Sequence, residues 1–138
     1  MKHLMIAAAA CAAALATAGA ALAETQAYTA TLAPGAGITS SGKGAAAVTF
    51  DTVSKALTYK VDYEGLSGPA TMAHIHGPAD PGANAGVQVP FPTVANPFVG
   101  TATLTDAQAA DLQAGKYYVN IHTAANRGGE IRGQLVKK

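Results

Sequence analysis

Leu57-Thr58-Tyr59-Lys60-Val61-Asp62-Tyr63 is the clearest alternating stretch of the chain. Apolar and aromatic residues at every second position, with polar residues between them, are the signature of a β-strand with one face on a core. The same period recurs on both sides. Upstream, Ala46, Val48 and Phe50 alternate, and Asp51 to Lys55 reads as the hairpin turn into Leu57. Further back, Tyr28, Ala30 and Leu32 alternate with Thr29 and Thr31 until Pro34-Gly35 ends the run, and the Gly- and Ser-rich stretch from Gly35 to Gly44 reads as a loop.

Downstream, the segments 71–76, 87–91, 98–104, 117–122 and 129–136 read as further strands. Pro78, Pro81, Gly82 and Gly86 mark residues 77–86 as a long loop. One short helix is expected over 107–113, with Thr105 as its N-cap, Asp106 at its positive end and Gly115 as its stop. About eight short strands without a βαβ rhythm predict an all-β domain, an antiparallel Greek-key β-sandwich or flattened barrel with one short helix.

The first 23 residues have a different composition. Lys2 and His3 precede an alanine-dominated apolar run from Leu4 to about Leu15, and Ala21-Leu22-Ala23 is an A-x-A cleavage site. This predicts a signal peptide over 1–23, cleavage before Glu24, a single domain over 24–138, and a periplasmic or secreted protein with no membrane span after cleavage. The apolar run is short for a transmembrane helix. Cys11, the one cysteine, would leave with the leader unless it is a lipidation site, so the domain is expected to hold no disulfide. Without Lys2, eight basic residues face eight acidic ones, and no basic patch points to nucleic acid.

Three histidines remain in the domain: His74 and His76 in Ala73-His74-Ile75-His76, and His122 in Val119-Asn120-Ile121-His122-Thr123. Ile75 takes the apolar face of its strand, so His74 and His76 share the other face with Met72. Tyr117, Val119 and Ile121 take the apolar face of theirs, so His122 points away from it with Tyr118 and Asn120. Imidazoles two residues apart on a strand can reach one ion, and a third from a neighbouring strand completes a three-nitrogen site suited to copper or zinc, with a position left open. A purely structural role, in which each ring satisfies a backbone carbonyl, stands equally beside it.

Met72 is expected to pack, with a soft Cu(I) ligand as the alternative. Tyr117 and Tyr118 are expected to pack in the sheet. Glu130, Arg132 and Gln134 are placed on the polar face of the last strand, and Arg132 is expected to tie to Glu130 or Asp80. No nucleophile signature, carboxylate pair or phosphate loop is present.

The runs Ala73-His74-Ile75-His76-Gly77-Pro78-Ala79, Leu112-Gln113-Ala114-Gly115-Lys116-Tyr117-Tyr118-Val119-Asn120-Ile121-His122-Thr123 and Gly128-Gly129-Glu130-Ile131-Arg132-Gly133-Gln134-Leu135 resemble the CHRD (chordin-type) domain. The resemblance extends from about Tyr28 to Leu135 and implies an extracytoplasmic all-β domain, without an agreed activity. The placing of His74, His76, His122 and Arg132 is also similar to the copper side of copper–zinc superoxide dismutases. The histidines of the zinc half and the paired cysteines have no counterpart, so that similarity implies a copper-only site at most. Three functions follow as expectations: a copper- or zinc-binding domain, a metal-free module recognising an envelope or extracellular protein, and a copper-only dismutase-like enzyme.

Overall fold

A computed structural model describes residues 18–138. Most of the leader expected at 1–23, Cys11 included, lies outside the described residues. The chain forms β1 (Thr25–Pro34), β2 (Lys43–Asp51), β3 (Ala56–Glu64), β4 (Ala70–His76), β5 (Val87–Pro90), β6 (Phe98–Thr103), α1 (Asp106–Gln113), β7 (Tyr118–Thr123), β8 (Ile131–Gln134) and β9 (Val136–Lys137).

The strands form a nearly closed, barrel-like antiparallel sheet in the order β5-β4-β7-β8-β1-β2-β3-β6, with β9 also on β1. One half is the meander β1-β2-β3 with β6 on its edge, paired through Tyr28↔Val48, Val48↔Tyr59 and Tyr59↔Gly100. The other half sets β7 between β4 and β8. The long β1 joins them by pairing β8 at Ala33 and Pro34. The connections β3–β4, β5–β6 and β6–α1–β7 each cross between halves, as an antiparallel sandwich requires.

The alternation seen in the sequence is the alternation of burial. Leu57, Tyr59 and Val61 are fully buried beside Tyr28, Leu32, Val48 and Phe50, and they meet Ala73, Ile75, Val119, Ile121 and Ile131 from the other half in one core. The expected hairpin turn forms because the Asp51 carboxylate accepts from the backbone N–H groups of Val53 (2.9 Å) and Ser54 (2.7 Å), pre-forming the bend. The helix starts on a capping box, with the Thr105 hydroxyl accepting from Gln108 N and the Gln108 side chain returning to Thr105 N. Gly115 stops it at φ +74°.

The last strand departs from expectation. It begins at Ile131 and breaks at Leu135, whose N–H donates to Tyr117 O (2.9 Å) while its side chain is fully buried. The chain then resumes as β9, which pairs only with β1. This break allows one segment to serve both halves.

Candidate metal centre

The non-core face of β4 and β7 is where the histidines lie. Their register pairs Met72 with His122 and His74 with Asn120, which places His122 diagonally next to His74. His74 and His76 follow one another on the same face. Parity on two adjacent strands therefore brings all three rings together. Their centroids are 4.9 Å (His74–His122), 5.3 Å (His74–His76) and 5.7 Å (His76–His122) apart.

Backbone carbonyls fix two of the rings. His76 Nδ1 lies 2.9 Å from Ala85 O, and His122 Nδ1 lies 2.7 Å from Arg127 O. A carbonyl only accepts, so each Nδ1 carries the proton and each Nε2 presents its lone pair. This is the arrangement by which a histidine ligand is oriented from behind. His122 Nε2 faces His74 Nδ1 at 3.1 Å. His76 Nε2 is buried and has no hydrogen-bond partner. One ligand nitrogen from each histidine lies within 4.8 Å of the others. Nitrogens about 2.0–2.1 Å from a common ion are at most roughly 4 Å apart, so one ring has to turn inward by less than about 1 Å at that bond length.

A proton shared between His74 and His122 satisfies only that pair. His76 Nε2 would stay buried and unpaired, at a cost of about 1–3 kcal/mol. A cation at the centre would satisfy all three nitrogens. Electrostatics favours the neutral, coordinating form. Burial lowers the pKa of His74, and proximity to His122 and His76 lowers it further. Burial also lowers that of His76; the Ala85 carbonyl partly opposes this, while His122 and Arg132 add to it.

Both orienting carbonyls sit on loops pinned over this face. Residues 77–86 are closed by Gly77 N donating to Gly86 O (3.1 Å) and held by Ala79 N on Lys116 O (2.8 Å) and Ala85 N on the Tyr118 hydroxyl (3.1 Å). The turn after β7 depends on Gly129, at φ +119°, where a Cβ would collide with the Asn120 carboxamide.

Tyr118 stacks on His76 (5.1 Å, 12°), and the Arg132 guanidinium lies 3.8 Å over the other part of this stack, on the Tyr118 ring. Arg132 donates to Asn84 Oδ1 and Ala83 O, both at 2.7 Å. The expected tie from Arg132 to Glu130 or Asp80 is therefore corrected: Asp80 pairs with Lys116, and Glu130 turns elsewhere.

Continued regularly, β8 would set Glu130 opposite His122. The strand instead starts one residue later, and the fully buried Glu130 carboxylate joins Thr123 at the end of the core. Ser40 Oγ (2.6 Å) and Ser67 N (2.8 Å) donate to its Oε1. Ser67 Oγ (2.7 Å), Thr123 Oγ1 (2.6 Å) and Asn126 Nδ2 (3.3 Å) donate to its Oε2. Burial pushes this carboxyl up, but the bonds from Ser40, Thr123 and Ser67 outweigh it and hold the pKa at about 2. The polar face keeps Arg132 and Gln134 but not Glu130. His74, His76 and His122 are the one group of three or more potential metal-ligating side chains among the described residues.

The family model of the CHRD domain matches residues 20–135. The chain belongs to the CHRD domain family. That match spans every element from β1 to β8 of this CHRD domain, the histidine cluster included. No curated protein and no solved structure matches the chain. No helix among the described residues is long and apolar enough to cross a membrane.

Proposed function

We propose that this CHRD domain is an exported metal-binding domain that holds one copper ion on His74, His76 and His122, with zinc as the competing ion. The observation that carries this reading is the buried, unpartnered His76 Nε2 beside two further imidazole nitrogens, with two of the rings held from behind by carbonyls. Imidazole suits copper and zinc, and three protein nitrogens leave room for a further ligand. Export, read from the leader composition, removes the domain from the thiols that compete for copper in the cytoplasm. The role that fits is copper handling or protection.

Equilibrium dialysis against Cu(II) and Zn(II), followed by elemental analysis, tests this. One ion per chain is expected, reduced to background in His76→Ala. Background metal in the wild-type protein would overturn the reading and favour the metal-free recognition module. Superoxide dismutation by copper-loaded protein is a separate measurement, which would add redox cycling to binding.

A further inference from the structure

We propose that Met72 is a fourth, thioether ligand of the histidine site and makes it selective for copper(I); this rests on the metal-binding reading above. The expectation that Met72 packs in the sheet does not hold. On β4 the apolar residues Ala73 and Ile75 are at most 1% exposed, whereas Met72 is 51% exposed on the opposite face. That face is the one that carries His74 and His76.

Register places Met72 beside His122. The β4–β7 ladder shifts between Ala70 and Met72, and Met72 is the direct cross-strand partner of His122. Such partners have Cβ atoms about 4.5–5.5 Å apart. Bulges of this kind re-aim side chains beside functional sites. Thr71, the residue at the shift, bonds its hydroxyl to His122 O (3.3 Å) and so fixes the backbone behind that ligand. Methionine is unbranched and flexible, so its sulfur can sweep over the neighbouring ring without backbone movement.

Donor chemistry then selects the ion. Thioether sulfur is a soft ligand that prefers Cu(I) over Zn(II) and Cu(II). The site also lacks a carboxylate, because the acidic residue whose regular position faces His122, Glu130, is bound up with hydroxyls at the end of the core. Four neutral donors leave a bound ion's charge uncompensated. That penalises a divalent ion more than a monovalent one in a half-buried site. As the exposed member of the set, Met72 would be the first donor an incoming copper meets and the last it leaves.

The test uses the full chain carrying Cys11→Ser, so that no thiol competes, with and without Met72→Leu. Cu(I) affinity is measured anaerobically by competition with a chromogenic Cu(I) chelator, Cu(II) affinity by competition in air, and the Cu(I) shell by X-ray absorption. The expected result is one sulfur at about 2.3 Å, the length of a metal–sulfur bond, lost in Met72→Leu. Cu(I) affinity should fall at least about tenfold, some 1.4 kcal/mol, with Cu(II) affinity falling less. Equal Cu(I) affinities and a sulfur-free shell, with Cu(II) binding intact, would overturn the thioether role alone. Binding of neither oxidation state would overturn the three-histidine site together with it.

Discussion

His122 and Thr123 are consecutive residues of β7, yet they enter two polar clusters of opposite character. Thr123 joins the Glu130 cluster, where five donors fill both carboxylate oxygens. His122 joins the histidine cluster, where one nitrogen of His76 is left empty in a buried position. The first cluster is chemically closed. It ties together the loop at Ser40, the turn at Ser67, the end of β7 and the turn at Asn126, and nothing is left to bind a ligand. The second is open at His76 Nε2, while His122 engages both of its ring nitrogens, on Arg127 O and on His74. Completed hydrogen bonds mark the polar group that serves the fold; His76 Nε2 lacks a partner, as do Tyr117 OH and Asn120 Oδ1, and of these three His76 is the one grouped with two further imidazoles. The contrast gives Glu130 a role in the fold and leaves the histidines as the cluster with an open donor.

The sharpest way to break that division is to exchange the effects. His76→Ala should lower copper affinity by more than about a hundredfold, the upper end of what loss of a merely orienting partner costs, as read by chelator competition. Glu130→Gln should leave copper affinity unchanged but destabilise the domain by about 2–3 kcal/mol, because one carboxylate oxygen becomes a donor facing donors. Chemical denaturation with and without copper would separate the two. A large loss of copper affinity in Glu130→Gln would merge the clusters and remove the distinction.

Acid should reach the closed cluster by way of the unfolded chain. A free carboxyl of this type titrates at 4.5, whereas folded Glu130 holds its proton off until about 2. Between those values the unfolded state binds more protons, so the stability that Glu130 contributes is complete above about pH 4.5 and is lost as the pH falls towards 2. Urea midpoints across this range should fall in the wild-type protein and stay flatter in Glu130→Gln. Parallel curves would show that the carboxylate contributes no such term.

The smallest effect belongs to the open cluster without metal. His76→Phe keeps a ring to stack on Tyr118 and removes the unpaired Nε2, while Ala85 O retains the Tyr118 hydroxyl at 3.3 Å. Apo-protein stability should therefore change by less than about 1 kcal/mol, with copper binding gone. A loss above about 3 kcal/mol, the scale of a broken buried polar network, would make His76 a structural histidine.

What the sequence revealed follows the same line. Strand parity is written in single residues, so Leu57, Tyr59 and Val61 disclosed the core face, and Ile75 and Ile121 disclosed the histidine face. The carbonyls that orient the rings left no such mark, because Ala85 and Arg127 act through backbone atoms that every residue has. The Glu130 cluster was hidden by distance: Ser40 and Ser67 lie 90 and 63 residues away in the chain. It was also hidden by Gly129, whose positive φ turns the chain before β8 begins and defeats the parity that would have set Glu130 beside His122. Met72 could be placed on a face from the sequence, but its exposure and its register against His122 belong to the folded sheet.

Convergence of the three imidazoles on one ion can be read from anomalous scattering at the copper edge in crystals of the loaded protein. A single peak is expected about 2 Å from His74 Nδ1, His76 Nε2 and His122 Nε2. Copper at the chain surface, or a histidine cluster without a peak in copper-saturated crystals, would contradict it.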